Sequence, residues 1–351
     1  MLFTVLHHFS RFLGNMITPI KSSSFAPKVI VFGGIMCDIY LNCTNETFAQ
    51  IASEEHPDFL SLEEGSKVDL SSIKYAVGGG GANVACGLAH LGIPTTIFAK
   101  IGSDHLGNFV LKNLSQKQID LSLCLTSKTI ETGTSLILPS EKGNHPILVF
   151  RGANTVVQEA ELPLSILDQF KGVYIASLAG NFAKLLPTIT SRAKATGSLV
   201  MHNPSRSQLT NAKDAFLKAL PSIDILIMNL SEAKALFATL ASAEEAFSLQ
   251  LLYELLSPNG SHILIITSGK DGAYCITNQK IIHQPSIRTT VVNTVGAGDI
   301  FGATFFGSII LGRNYEQALL LAAHNSAHAL ASSDQETRLL TLKELIALSK
   351  S

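Results

Sequence analysis

Val292-Asn-Thr-Val-Gly-Ala-Gly-Asp-Ile-Phe-Gly-Ala-Thr-Phe-Phe-Gly-Ser-Ile-Ile-Leu-Gly312 decides how the rest of the chain is read. It begins where the β-branched run Thr289-Thr290-Val291-Val292 stops. Gly296 and Gly298 then allow a tight turn, since glycine tolerates φ > 0. The apolar run after them is rich in small residues and ends at Gly312, a helix-stop signal. The expected object is a strand, a glycine turn and a helix carrying Asp299 in its first turn. Unpaired N–H groups and the dipole make a helix start hospitable to an anion. A carboxylate there can cap the helix. It can also take a proton from a hydroxyl while the N–H groups hold charge on a phosphoryl group in transfer. The familiar nucleotide motifs do not fit. The chain has no G-x-x-x-x-G-K-[ST], and Phe301 stands where G-x-G-x-x-G needs its third glycine.

Working backwards, Lys28-Val-Ile-Val-Phe-Gly-Gly34 reads as a buried central strand, with Asp38 following near its C-terminal end. In open α/β sheets that edge is where ligands bind. Tyr75-Ala-Val-Gly-Gly-Gly-Gly-Ala-Asn-Val-Ala-Cys-Gly-Leu-Ala-His-Leu-Gly92 puts four glycines before an apolar small-residue helix, with Asn83 in its first turn. Four glycines cost chain entropy, so they suit a place where something must approach the backbone closely. Thr95 to Ile101 reads as a strand and Leu106 to Gln116 as a helix. Leu121 to Leu125, Gly133 to Leu138 and Pro146 to Phe150 are short β-like runs, closed by Arg151-Gly-Ala-Asn154. Consecutive strands without helices suggest an antiparallel patch, taken with part of 39–75 as a small lid.

From 172 onward strands and helices alternate. Strands are expected at Val173 to Ser177, Leu199 to Asn203, Ile223 to Met228 and His262 to Thr267, with helical stretches at 182–195, 209–220 and 231–256. A hairpin follows at Tyr274 to Ile276 and Lys280 to His283, then helices at 298–311, 315–331 and 342–349. This order predicts an α/β fold, a doubly wound and mainly parallel sheet with helices on both faces. Polar groups punctuate the strand ends: Asn203-Pro-Ser205, Asn229-Leu-Ser-Glu232, Thr267-Ser-Gly-Lys-Asp-Gly272 and Asn293-Thr-Val-Gly-Ala-Gly-Asp299. Singly they are caps and turns, such as Ser231 capping its helix. Together they set oxygen ligands for a hard metal and donors for phosphates along one sheet edge.

Composition limits the alternatives. Hydrophobic residues make up 46% of the 351 and charged ones 15%, enough for a large core. A net charge of −1 gives no footprint for nucleic acid or an anionic membrane. Cys37, Cys43, Cys86, Cys124 and Cys275 form no C-x-x-C and are odd in number, which points to a reduced cytoplasmic setting. No apolar run is long enough for a membrane span, and His7, His8 and Arg11 interrupt the start, which lacks a secretory pattern. Residues 1–27 are expected as a flexible extension ahead of one domain over 28–351; a start at Met16 is also open.

Residues 28–347 resemble the ribokinase family, the PfkB-type carbohydrate kinases. The resemblance rests on Gly78-Gly-Gly-Gly-Ala-Asn83, the later Ile101-Gly-Ser-Asp-His-Leu-Gly107, Asn229-x-x-Glu232 and Asn293-Thr-Val-Gly-Ala-Gly-Asp299, in that order. It implies a ribokinase-like fold and transfer of the ATP γ-phosphoryl group to an alcohol, usually a sugar or nucleoside hydroxymethyl. By that resemblance Asp299 is the general base, and Gly296, Ala297 and Gly298 form the anion hole. Asp38, Gly79, Asn83 and Arg151 belong to the substrate side. Asn203, Thr267, Gly269, Gly272 and Asn325 fall on the nucleotide. Asn229 and Glu232 organise Mg²⁺ and phosphates, Glu232 reaching the metal through water. The lid implies a homodimer, and the partner is otherwise a small molecule. Asn293 stands where the family usually has Asp beside a monovalent-cation loop, so K⁺ activation is expected to be weak. Gly80 replaces the Lys of ribokinase itself, and Ser177-Leu-Ala-Gly-Asn181 has no counterpart of its sugar-binding Glu, which weakens ribose as the substrate. A nucleoside kinase on the same fold is the alternative reading, and a non-catalytic sugar- or nucleotide-binding protein a further one.

Overall fold

A computed structural model of the chain describes residues 26–43, 49–51, 59–61, 64–65, 67–138, 145–242, 244–332 and 338–350. Apart from Ala26 and Pro27, the expected N-terminal extension lies outside the described residues, as does part of 39–75. Among the described residues nine strands form one sheet. From one edge they are Ile281–Gln284, Ala273–Ile276, Ile263–Thr267, Ile225–Asn229, Leu199–His202, Gly172–Ile175, Val29–Phe32, Thr95–Phe98 and Ile119–Asp120. The first two form an antiparallel hairpin and the rest run parallel. Val29–Phe32 is buried along its whole length, which its unbroken apolar sequence allows because helices cover both faces. Ala82, Phe305 and Ala318 pack on one face and Ile189, Phe216 and Leu236 on the other.

The chain builds outward from Val29–Phe32 through Thr95–Phe98, then returns to its other side at Gly172–Ile175 and builds away. That reversal opens a crevice beyond the C-terminal ends of the two central strands. A second sheet runs in the order Ile147–Phe150, Gly133–Ile137, Met36–Cys43, Leu70–Gly78.

Several sequence expectations are corrected. The run 289–292 is not a strand: the Val292 and Asn293 N–H groups both donate to Leu330 O, 2.7 and 3.1 Å away. Those donors satisfy the end of helix Tyr315–Ala331 instead of a sheet edge. Of the run Leu121 to Leu125, residues 121–124 form a turn outside the second sheet, since Asp120 Oδ1 accepts the Ser122 N–H and Cys124 N–H donates to Leu121 O. The flanking Ile119–Asp120 and Leu125–Ser127 pair with Thr95–Phe98 and Lys100–Gly102. The stretch 231–256 is two helices, Leu230–Leu240 and Leu249–Leu256, the second started by Ser248, which accepts the Leu251 N–H. The first is capped by Asn229 and not by Ser231.

Helix Ala297–Ile310 is buried nearly all round, so its neighbours come very close. A Cβ on Gly87, in helix Gly80–His90, would lie 2.8 Å from Ala303 Cβ. A Cβ on Gly302 would lie 2.3 Å from the Tyr174 hydroxyl. These two glycines set how near the long helix sits to its partner helix and to the sheet. Gly87→Val should therefore destabilise the fold by about 1–3 kcal/mol, the usual range for overpacking. Thermal or denaturant unfolding measures this, and an unchanged midpoint would show that the two helices can separate freely.

Candidate active site

Two helix starts meet at the crevice. Helix Gly80–His90 begins on the end of the first strand: Gly34 O accepts the N–H groups of Gly81 and Ala82 at 3.1 and 3.4 Å. Gly79 enters it with φ 90°, and a Cβ there would lie 2.5 Å from Gly34 O. Helix Ala297–Ile310 begins after Gly296, which is left-handed at φ 74°. A hydrogen bond from Asn83 Nδ2 to Asp299 Oδ2, 2.9 Å long, ties the two first turns together. The other Asp299 oxygen lies 3.5 Å from where a Gly80 Cβ would be. Burial pushes the Asp299 carboxyl above the usual carboxylate range, against the Asn83 bond and the Arg338 guanidinium, which favour the charged form. A carboxylate so placed accepts a proton more readily than an exposed one.

The expected anion hole needs one revision. Ala297 N–H donates to Thr294 O at 3.3 Å, closing the turn, whereas the N–H groups of Gly298 and Asp299 have no protein acceptor among the described residues. Among the described residues, no atom beyond its chain neighbours and its own helix backbone lies within 4 Å of where a Gly298 Cβ would be. Packing among the described residues therefore gives no reason for glycine at 298, and the space beside the turn is open to the pocket. Asn293 Oδ1 accepts the Val295 N–H at 2.9 Å, so this Asn closes an Asx turn within the loop.

Gly296, Gly298 and Asp299 share one pocket with Asn203, Asn229, Glu232 and Thr267, at the C-terminal ends of successive strands. Ser177 and Ser205, joined by a 2.6 Å hydroxyl bond, line it too. The sequence reading left them out as site residues, although each lies within three residues of a strand end. Ile227 and Met228 complete an apolar wall, and no sequence signal separates them from ordinary core. Asn229 and Glu232 form a capping box: Asn229 Oδ1 accepts the Glu232 N–H at 2.8 Å, and Glu232 Oε2 accepts the Asn229 N–H at 3.0 Å. Burial pushes the Glu232 carboxyl upward, and the Asp299 charge adds to this, while its backbone hydrogen bonds oppose it. No group of three or more His, Cys, Asp or Glu is arranged to hold a metal among the described residues.

On the other side, Asp38 lies on Met36–Cys43 of the second sheet, 5% exposed, and accepts a hydrogen bond from the Ser135 hydroxyl. Burial pushes its carboxyl up, with Ser135 and Arg338 opposing. Arg151 ends strand Ile147–Phe150, outside the pocket lining, and its carbonyl accepts from Asn154 Nδ2 at 3.1 Å. Asn154 also bonds both the N–H and the carbonyl of Ile35, at 3.1 and 2.9 Å, so it clasps the chain just after the first strand. Gly269 and Gly272 make the turn into the hairpin; Gly272, at φ 89°, is demanded by Gln284 O, 2.1 Å from where its Cβ would be. Asn325 is not a pocket residue. It is 1% exposed, donates to Thr304 Oγ1 at 2.8 Å and accepts the Leu340 N–H at 3.0 Å, so its amide fastens the chain's last segment to the helices. Arg338, which no motif marks in the sequence, is 6% exposed and donates from Nη1 to Val295 O at 3.1 Å.

Comparison with known proteins identifies the family and the fold. Residues 27–340 match the family described as pfkB family carbohydrate kinase. A ribokinase of Staphylococcus aureus (strain COL) is 28% identical over 300 residues, spanning 83% of this chain and 87% of the relative. Fructokinase-2 of Zea mays is 25% identical over 277 residues, 77% of this chain and 81% of the relative. The structure of Arabidopsis thaliana ribokinase, solved with ribose and ATP, superposes with a TM-score of 0.75 at 21% identity, over 93% of this chain and 100% of that one. The fold is thus ribokinase-like, as the motifs implied.

The raised Asp299 carboxyl has a consequence for stability. A carboxyl that binds its proton more tightly folded than unfolded loses stability as the pH rises above the ordinary carboxylate range. Asp299→Asn should thus be more stable than the unmodified protein near neutral pH, with the difference closing at about pH 4, where an unfolded Asp is half protonated. Thermal unfolding followed against pH measures it; a variant equally destabilised at both ends would contradict the assignment.

Proposed function

Because the chain belongs to the pfkB family of carbohydrate kinases, phosphotransferases with alcohol acceptors, we propose that it moves the γ-phosphoryl group of ATP to a sugar hydroxyl with Asp299 as the general base. The observation that carries this reading is the Asn83–Asp299 bond at two converging helix starts, facing a pocket with free N–H donors. The sugar hydroxyl gives its proton to the open Asp299 oxygen as its own oxygen bonds to the γ-phosphorus. The bond from that phosphorus to the bridging oxygen breaks, and ADP leaves. The Gly298 and Asp299 N–H groups hold the negative charge of the phosphoryl oxygens.

Two carboxylates on one pocket, both pushed upward by burial, suit a divalent cation. Mg²⁺ bound with the phosphates would supply positive charge there, with Glu232 holding it through water because its carboxylate already serves the helix cap. In this reading Thr267 and the Gly269–Asp271 turn meet the nucleotide and Asp38 meets the sugar; the position of Thr267 in the pocket and the burial of Asp38 support it. Tyr40, two residues beyond Asp38 on the same strand and so on the same face, brings an aromatic ring to the sugar end. That ring is the reason to test nucleosides beside sugars. K⁺ is expected to matter little, since Asn293 turns its amide oxygen to the Val295 N–H. The free thiols of Cys37, Cys86, Cys124 and Cys275 support the cytoplasmic reading.

An ATP-consumption screen over pentoses, hexoses and nucleosides should find an acceptor. Asp299→Asn should then lower turnover by roughly 10²–10⁴, the usual worth of a positioned base, with ATP binding largely kept. Near-normal turnover in that variant would remove Asp299 from the role.

The second sheet is read as a lid and as the face of a homodimer. All four residues of Ile147–Phe150 are exposed, and Ile73 and Tyr75 are each 49% exposed on the opposite edge strand. Apolar surface of this kind marks an association site. Sedimentation of the unmodified protein should show a dimer, and Phe150→Glu should dissociate it; a monomer throughout would refute this interface.

A further inference from the structure

A guanidinium lies beneath the anion-hole turn. Arg338 Nη1 holds Val295 O at 3.1 Å, and its Nη2 comes within 2.7 Å of where a Gly296 Cβ would stand. Asn83 Nδ2 is 3.0 Å from the same point, so the guanidinium and the Asn83 amide converge on Gly296, and that amide also holds the Asp299 carboxylate. Val295 is gripped on both of its flanking peptides: Asn293 Oδ1 accepts its N–H and Arg338 donates to its carbonyl. Asn325 fastens Leu340, two residues beyond Arg338, to the helix packed behind the turn.

The charge balance points the same way. The Asp38 and Asp299 carboxylates both feel the Arg338 charge, and Tyr40 and Cys86 face it as well. An arginine stays protonated in proteins, so this is a permanent cation. At 6% exposure little water screens it.

We infer that Arg338 is a positioning residue for phosphoryl transfer: a cation built into the fold that fixes the Val295–Gly296 peptide and lends its field to the phosphate end of the pocket. A bound monovalent ion beside such a turn would do both jobs. Here a side chain does them, which is why a neutral Asn suffices at 293. The inference rests on the kinase reading, but its test also has an arm free of turnover.

Turnover with the accepted sugar is measured in K⁺ and in tetramethylammonium at matched ionic strength, for the unmodified protein, Arg338→Gln and Arg338→Lys. ATP binding by calorimetry is measured alongside. The unmodified protein should turn over equally in both salts and bind ATP equally in both. Arg338→Gln should lose roughly 10²–10³ in kcat, as when one oxyanion donor is removed, with the sugar KM changed far less. Added guanidinium or K⁺ should restore part of that loss, which repairing a generally weakened fold would not do. Arg338→Lys should fall between, keeping the charge without the planar fork. ATP affinity should drop in Arg338→Gln even if no sugar is accepted. Several-fold K⁺ activation of the unmodified protein overturns the inference, as does an Arg338→Gln variant with normal kcat and ATP affinity. If Arg338→Gln does not fold, an Arg338→Lys variant with no gain from guanidinium or K⁺ overturns it. Failure of the unmodified protein to bind ATP overturns the kinase reading as well, whereas ATP binding and turnover that ignore position 338 overturn only the role of Arg338.

Discussion

The 2.9 Å bond from Asn83 to Asp299 fixes what the rest of the molecule must do. Its partners are 216 residues apart and sit in the first turns of two helices. Their alignment depends on the helix axes, which small residues bring close: Gly87 against Ala303 along the shared face, and Gly302 against Tyr174 beneath. Each glycine in a helix interior costs about 1 kcal/mol of helix propensity relative to alanine. The arrangement accepts that cost to hold a carboxylate in one orientation at the mouth of a crevice. A side chain fixed by packing needs little reorganisation when charge moves past it.

The same packing creates an electrostatic problem. Asp38 is buried and Asp299 and Glu232 are half-buried close to it and to each other, and desolvation pushes each carboxyl upward. Buried like charges of this kind persist only with compensation. Asn83 and Ser135 supply hydrogen bonds, the capping box supplies N–H groups to Glu232, and Arg338 supplies charge. Every compensating group also positions something: a helix start, a strand of the second sheet, or the turn at Gly296. Stability and site geometry are therefore coupled, and neutralising Asp299 acts on both.

The second sheet is joined to the main body at the crevice itself. Met36–Cys43 follows directly from the first strand, Leu70–Gly78 leads into Gly79 and its helix, and Asn154 clasps Ile35. Asp38 thus belongs to the second sheet, while the pocket residues Asn203, Asn229 and Thr267 stand at strand ends of the main one.

The sequence alone determined the parts whose causes are local. Unbroken apolar runs marked the central strands, glycines marked the starts of both site helices, and polar residues at strand ends marked Asn203, Asn229, Glu232 and Thr267. The ribokinase-family motifs attached expected roles to those positions. What local pattern could not decide was where long-range partners would take a group. The β-branched run 289–292 has strand propensity, but its N–H groups found Leu330 O at a helix end and never met a sheet. Asn325 has the polarity of a ligand contact, yet Thr304 and Leu340 use its amide from both sides. Ala297 stood in the glycine turn as a donor, and its N–H closed the turn on Thr294. Arg338 carries no motif, because its meaning lies in reaching Val295 and Gly296 from 43 residues away. Sequence shows which groups are available, and only the packed chain decides which of them are already paired and which still face the pocket.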